Sequence, residues 1–332
     1  MLENLEGKGV LIHHWDTDGI CSARLLLKKF TDKTIDNKTP IIGNYFLTEV
    51  ELNNYSNYDF VIVADMALPK ENIHILAQKA NIMIFDHHLQ EEIKEVEHYN
   101  PIIKGENPDK YPSASWIINT YLSNNINLYA LLGIVGDHER RIKNNKLFNR
   151  LISDFCQKHN LEFSDLLKMA YLLDSNYKLG NKKAVEIAPR LLLNYNDATD
   201  ILKNSQWNKN LRILSEEIDK QLDRFEDETK GIILKKIDTP FNIISTITRK
   251  VAWQNKKNTL VINTGFFKDK DQVYVRSNKS LEPLIKRAKS LGYNAGGKKE
   301  VMGAIVPKDK TDCFVDDIVD YLSSETKGRG DI

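Results

Sequence analysis

The chain has 332 residues, 41% of them hydrophobic and 28% charged, with 47 Lys+Arg against 46 Asp+Glu. That length and composition suit a soluble globular protein of two domains and exclude a low-complexity chain. No apolar run approaches the ~20 residues of a membrane span, and the first residues lack the basic-then-apolar pattern of a signal peptide. Cys21, Cys156 and Cys313 are scattered, which argues against a disulfide framework and predicts a reducing, cytoplasmic setting.

The first third alternates short apolar runs with helical patterns. Val10–Ile12, Ile41–Phe46, Phe60–Ala64 and Ile82–Phe85 predict buried strands of a parallel sheet, and Ile20–Lys29 and Lys70–Ala80 predict crossover helices. Such alternation places a site at the carboxyl ends of the strands. From Pro112 the pattern turns helical, over Ser113–Leu122, Leu128–Val135, Lys146–Lys158, Ser164–Leu173 and Lys182–Leu193. Leu211, Leu214, Ile218, Leu222 and Phe225 recur at helical spacing with charges between, an amphipathic connecting helix. After Gly231, strands return at Ile232–Leu234, Leu260–Thr264, Val273–Val275 and near Ala304–Val306, with a helix at Leu281–Ser290. The predicted class is therefore α/β. A parallel-sheet domain with a helical part covers 1–205 and a connecting helix 206–230. A smaller basic α/β domain covers 231–325, with an active-site cleft between the two domains and a tail at 326–332.

Charge is unevenly spread. Residues 231–310 hold 17 Lys/Arg against 6 Asp/Glu, while residues 1–205 and the tail from Thr311 are each net acidic. An acidic half joined to a basic half fits a polyanionic substrate.

Chemistry gathers at the ends of apolar runs. Val10-Leu11-Ile12 leads into His14-Trp15-Asp16-Thr17-Asp18-Gly19. In an extended segment His14, Asp16 and Asp18 point the same way, and imidazole with carboxylate suits Mn²⁺, Fe²⁺ or Zn²⁺. Phe60–Ala64 ends in Asp65, Ile82–Phe85 in Asp86-His87-His88, and the run Leu131–Gly136 in Asp137. These supply nitrogen and oxygen ligands for two divalent ions. His13 alternates away from His14 and is read as a packing residue. Trp15 is read as packing or as a surface on which a base stacks, and His138 and Glu139 as neighbours of the ligands.

In order and spacing these segments resemble the DHH phosphoesterases. H-x-D-x-D-G is His14–Gly19, the strand-end aspartate is Asp65, D-H-H is Asp86–His88, and G-x-x-x-D is Gly133–Asp137. The resemblance implies that His14, Asp16 and Asp65 hold one metal, and Asp18, Asp65, His87 and Asp137 a second. It also implies that His88 faces the phosphate and that Asp86 orients the histidines. The basic half is similar to the glycine-rich domain that accompanies one DHH subfamily. That likeness rests on Arg276 and on Gly296-Gly297-Lys298 with Gly303, which would hold a phosphate or a strand end, together with Lys279, Lys286 and Arg287. Lys298 stands where that subfamily usually has histidine.

The two-domain layout is most like the archaeal RecJ-like nucleases. The resemblance implies a phosphodiesterase with two divalent ions, Mn²⁺ foremost and Mg²⁺ or Co²⁺ as alternatives. Its substrate would be single-stranded DNA or RNA, in replication or repair, with the GINS replication complex as a family partner. The alternatives are a nano-RNase, a phosphodiesterase of dinucleotides or bisphosphates, and a replication scaffold.

Overall fold

The computed structural model describes residue 2 and residues 5–30, 34–122, 125–195 and 197–324, with the backbone alone at Lys298. The predicted tail at 326–332 lies outside the described residues. Two compact units result. One runs to residue 177 and resumes over 181–211; the other joins 178–180 to the chain from Arg212 onward.

The first unit begins with β1 (Gly9–His13), α1 (Thr17–Lys29), β2 (Ile35–Lys38), α2 (Glu49–Tyr55), β3 (Phe60–Ala64), α3 (Lys70–Ala77), β4 (Asn81–Phe85) and β5 (Glu97–Tyr99). The strands form one parallel sheet in the order β2-β1-β3-β4-β5. Every residue of β1 and β3 is buried, as expected for central parallel strands covered on both faces. Among the described residues, six α-helices follow: α4 (Ala114–Tyr121), α5 (Leu128–His138), α6 (Lys146–Lys158), α7 (Phe163–Lys178), α8 (Lys182–Leu193) and α9 (Asp200–Lys203). Of these, α4, α5 and α8 pack on α1.

One strand differs from the sequence reading. The segment predicted at Ile41–Phe46 is a series of turns, and the strand beside β1 is the polar Ile35-Asp36-Asn37-Lys38. Asn37 is accommodated there because its side-chain amide donates to Glu186 O at 2.8 Å and meets His13 Nε2 at 3.0 Å. Hydrogen-bonded in this way, a polar residue is tolerated at a buried position.

The long helix α10 (Ser205–Leu222) carries the division between the units. The second unit continues with β6 (Asp227–Thr229), β7 (Ile232–Ile237), α11 (Ile244–Asn255), β8 (Thr259–Asn263), β9 (Lys270–Arg276), α12 (Glu282–Ser290), β10 (Asn294–Lys298), β11 (Val301–Pro307) and α13 (Thr311–Ser323). Its mixed sheet runs β10-β11-β9-β8-β7-β6, with β7 and β8 parallel and the other pairs antiparallel. Side chains alternate as a strand requires. Leu260, Val275 and Met302 face Leu284 of α12 and Phe314 of α13. Ile233 and Val261 face Val251 of α11 and Leu214 of α10. The amphipathic stripe of α10 ends with the helix at Leu222, so Phe225 lies beyond it and is 84% exposed. No helix among the described residues is long and apolar enough to cross a membrane.

Candidate metal centre

The motif after β1 is not extended throughout, so alternation does not explain its geometry. Asp16 caps α1, its Oδ1 accepting from Gly19 N at 3.1 Å, and the chain is already helical at Thr17. A Cβ on Gly19 would fall 2.2 Å from His14 O, which is why the tight turn needs glycine there. Thr17 N donates to Asp174 Oδ1 at 3.0 Å, and the Thr17 hydroxyl lies 2.7 Å from the same oxygen, fastening the turn to α7. Asp18 lies in the first turn of α1, fully buried. Its two oxygens accept from Ala114 N at 2.7 Å and Ser115 N at 3.0 Å. These are orphan amides at the N-terminus of α4, where the helix dipole favours a carboxylate.

Asp65 follows β3, and its N–H donates to Phe85 O at 2.8 Å. Its φ of 59° lies in the left-handed region, which aspartate enters more readily than most residues. Asp86, His87 and His88 follow β4. The buried Asp86 accepts at Oδ1 from His87 N at 2.8 Å and lies 2.7 Å from His88 Nδ1; its Oδ2 accepts from Gln90 Nε2 at 2.5 Å. Asp137 does not follow a strand. It lies in the last turn of α5, a helix whose first eight residues are all buried and whose apolar run therefore reads like a core segment. Glycines let α5 approach the motif. A Cβ at Gly136 would lie 2.8 Å from Thr17 Cβ, and one at Gly133 only 2.1 Å from Asp18 Oδ1.

These elements bring seven side chains together. His14 Nδ1 lies 2.8 Å from Asp16 Oδ2 and 3.8 Å from Asp65 Oδ2. His87 Nε2 lies 3.4 Å from Asp65 Oδ1 and 3.3 Å from Asp137 Oδ2. Candidate ligand atoms of His14, Asp16 and Asp65 are within 4.8 Å of one another, as are those of Asp18, His87 and Asp137, and those of Asp65, His87 and His88.

Crowded carboxylates distort one another's titration. Burial, followed by the charges of Asp18, Asp16 and Asp137, pushes Asp65 well above the usual carboxylate range. Burial and the facing Asp137 raise Asp18 to about 6, despite its two backbone donors. Burial opposes ionisation of Asp16 too, but the charge and hydrogen bond of His14 outweigh it and hold that carboxyl below its ordinary value. Nε2 of His14 and Oδ1 of Asp65 are buried without a hydrogen bond among the described residues. Buried polar atoms left so are costly. Imidazole and carboxylate donors in this number fit hard-to-borderline divalent ions.

Several neighbours take other roles. His13 is buried between His14 O, 2.6 Å from its Nδ1, and the Asn37 amide, and burial lowers its pKa to about 4. Trp15 is buried, with its ring 4.3 Å from that of His14. An exposed aromatic beside the motif is Tyr45, 49% exposed, within the Ile41–Phe46 run whose apolar residues predict a strand. His138 Nε2 lies 2.9 Å from Pro112 O, and Glu139 accepts from the Tyr171 hydroxyl at 3.1 Å. Sequence reading gave no signal for Asp174 or Ser115, because each meets the motif only through tertiary packing.

In the second unit the glycine signature is a strand pair rather than a loop. Gly296 stands opposite Gly303, and Gly297 opposite Met302. Gly297 has φ +153°, and a Cβ there would lie 2.0 Å from Val301 O. Arg276 ends β9, its guanidinium 5.9 Å from the ring centroid of Trp253. Lys298 lies on β10. Two expected strand-holding residues are engaged locally. Lys279 Nζ donates to Tyr321 O at 2.6 Å and Ser324 O at 2.9 Å, and Arg287 lies 3.5 Å from Asp317.

No protein-family model and no curated protein matches the sequence. Solved structures do match in fold. RecJ from Thermus thermophilus in complex with Mn²⁺ superposes with a TM-score of 0.71 at 15% identity, covering 97% of this chain and 53% of that one. This chain therefore spans about half the length of that RecJ. An exonuclease RecJ bound to manganese gives 0.67 at 15% identity, over 98% of this chain and 93% of that one. A pGpG-specific phosphodiesterase, PggH from Vibrio cholerae, gives 0.52 at 13%, over 96% and 99%. The likeness is one of fold, a parallel-sheet unit followed by a mixed-sheet unit, and it agrees with the DHH and RecJ-like resemblance of the motifs.

Proposed function

We propose that the chain is a divalent-metal-dependent phosphodiesterase of the DHH class, acting as a RecJ-like exonuclease on single-stranded DNA or RNA. The observation that carries this reading is the convergence of His14, Asp16, Asp18, Asp65, His87 and Asp137 on a RecJ fold. His14, Asp16 and Asp65 would hold one ion, and Asp18, Asp65, His87 and Asp137 a second, Mn²⁺ before Mg²⁺ or Co²⁺. Bound ions would supply a water of lowered pKa and the positive charge a phosphodiester needs among these carboxylates.

The chain's own groups do the rest. Asp86, buried and held by Gln90 and the His87 amide, fixes the His88 ring through Nδ1. A proton on the other ring nitrogen then serves as donor to a phosphate oxygen or to the departing hydroxyl. Asp18 is set by the amides of α4 before any ligand arrives, which lowers the reorganisation that binding requires. Arg276 and the Gly296–Gly303 strand pair, with Gly297 and Lys298, would engage the substrate backbone. Cytoplasmic work in replication or repair, and contact with GINS, rest on the RecJ-like resemblance.

The pGpG-specific neighbour favours a second reading, a substrate of only two nucleotides. Digestion of 5′- and 3′-labelled single-stranded DNA and RNA with Mn²⁺ or Mg²⁺ tests the first, and rates on a 2-mer against a 30-mer separate the two. Asp65→Ala is expected to abolish cleavage while sparing most strand binding. Full activity of that variant in Mn²⁺ would overturn the mechanism.

A further inference from the structure

Trp253 stands on α11 with 57% of its surface exposed, whereas Trp15 and Trp207 are buried. Arg249, one turn earlier on the same helix, sets its guanidinium 5.5 Å from the Trp253 ring centroid. Arg276, arriving from the end of β9, sets its own at 5.9 Å. Two cations from two elements therefore attend one solvent-facing indole.

The sheet that carries Arg276 is open at its outer strand, whereas the Tyr274 ring lies over Gly303, where a Cβ would fall 3.3 Å from it. Tyr274, Gly303 and Gly296 lie in register across β9, β11 and β10. They alternate with Val275 and Met302, which point into the core on the other face. A Cβ at Gly296 would meet nothing within 4 Å. No side chain rises from the two outer strands at that register. An indole, guanidinium groups and open sheet together suit a flat, anionic ligand, and the surrounding 17 Lys/Arg against 6 Asp/Glu over 231–310 favour a polyanion.

We propose that Trp253, attended by Arg249 and Arg276, is a stacking platform for one nucleobase of a single-stranded nucleic acid. The arginines take the adjoining phosphates. Any base offers a π-face to the indole, and a guanidinium meets a phosphate through paired N–H donors. A free phosphate would use the arginines alone and leave the ring idle. The site deepens the nucleic-acid reading above and rests on it for the ligand class, but it needs no metal.

The test is fluorescence anisotropy of labelled dT12 with the full chain in EDTA, where nothing is cleaved. An abasic 12-mer of the same charge is the comparison strand. Trp253→Ala is expected to weaken dT12 binding about tenfold, in line with one lost stack. Trp253→Phe should keep most of the affinity, and both variants should bind the abasic strand as the parent does. The proposal is overturned if Trp253→Ala binds dT12 like the parent, if it loses both strands equally, or if the parent binds no dT12. A chain that binds through Trp253 yet cleaves nothing keeps this site and loses the phosphodiesterase reading. Cleavage with binding indifferent to Trp253 does the reverse.

Discussion

A methyl group at Gly133 would lie 2.0 Å from Ser115 Oγ and 2.1 Å from Asp18 Oδ1. Neither can retreat easily, since Asp18 is held by the α4 amides and Ser115 is buried on α4. Gly133→Ala should therefore displace Asp18, weaken Mn²⁺ binding by at least about tenfold and reduce hydrolysis in parallel. Calorimetric titration of the metal beside a rate measurement checks this, and parent-like affinity would mean that Asp18 is no ligand. At this scale the sequence disclosed donors, not their supports. His14, Asp65 and His87 stand at the ends of apolar runs, where a charged group is conspicuous. The contacts of Asp18 with Ala114 and Ser115, or of Thr17 with Asp174, join residues about 100 and 157 positions apart, and no local pattern records them.

Among the elements, α10 depends on a buried cation. The Lys235 side chain is fully buried on β7, and its Nζ donates to Leu222 O at 3.0 Å, Arg224 O at 2.5 Å and Glu226 Oε1 at 3.3 Å. These include carbonyls at the end of the helix that would otherwise lack partners. Lys235→Met should lower stability by about 2 kcal/mol, read from urea denaturation, because the carbonyls lose a charged donor while the apolar stem is kept. An unchanged midpoint would show that water replaces the ammonium. Periodicity located elements whose apolar residues face one core, and the predicted Lys146–Lys158 and Lys182–Leu193 are the observed helices. It failed at β2, whose buried Asn37 is satisfied by β1 and α8. It also missed α11 and α13, although Ile244, Ile247, Thr248 and Val251 of the one and Phe314, Val315, Ile318, Val319 and Leu322 of the other are buried at helical spacing.

For the whole molecule, the metal centre makes stability depend on pH. Asp18 has its pKa raised to about 6 in the fold from 3.8. Its contribution is thus present below about 4 and lost as pH rises through about 6, where the fold must ionise it beside Asp137. His13 is lowered from 6.5 to about 4, so it costs nothing above about 6.5, destabilises the fold progressively as pH falls from there, and reaches its full cost below about 4, where the fold must protonate it. Both effects belong to the metal-free protein. A divalent cation that binds ionised ligands removes the penalty on Asp18, so the gain in Tm on adding Mn²⁺ should be larger at pH 7.5 than at pH 5.0. A gain independent of pH would take these carboxylates out of the site. The sequence by itself determined the α/β alternation, the acidic-to-basic change along the chain and the candidate donors, because burial and charge are written in local composition. Tertiary structure set the Asp18 carboxylate within 4.8 Å of ligand atoms of His87 and Asp137, the grouping that the DHH resemblance implied and that alternation along the motif did not. It also buried Trp15 and left Tyr45 and Trp253 at the surface. Those outcomes depend on which helix termini and strands meet, and that is settled by packing between distant segments.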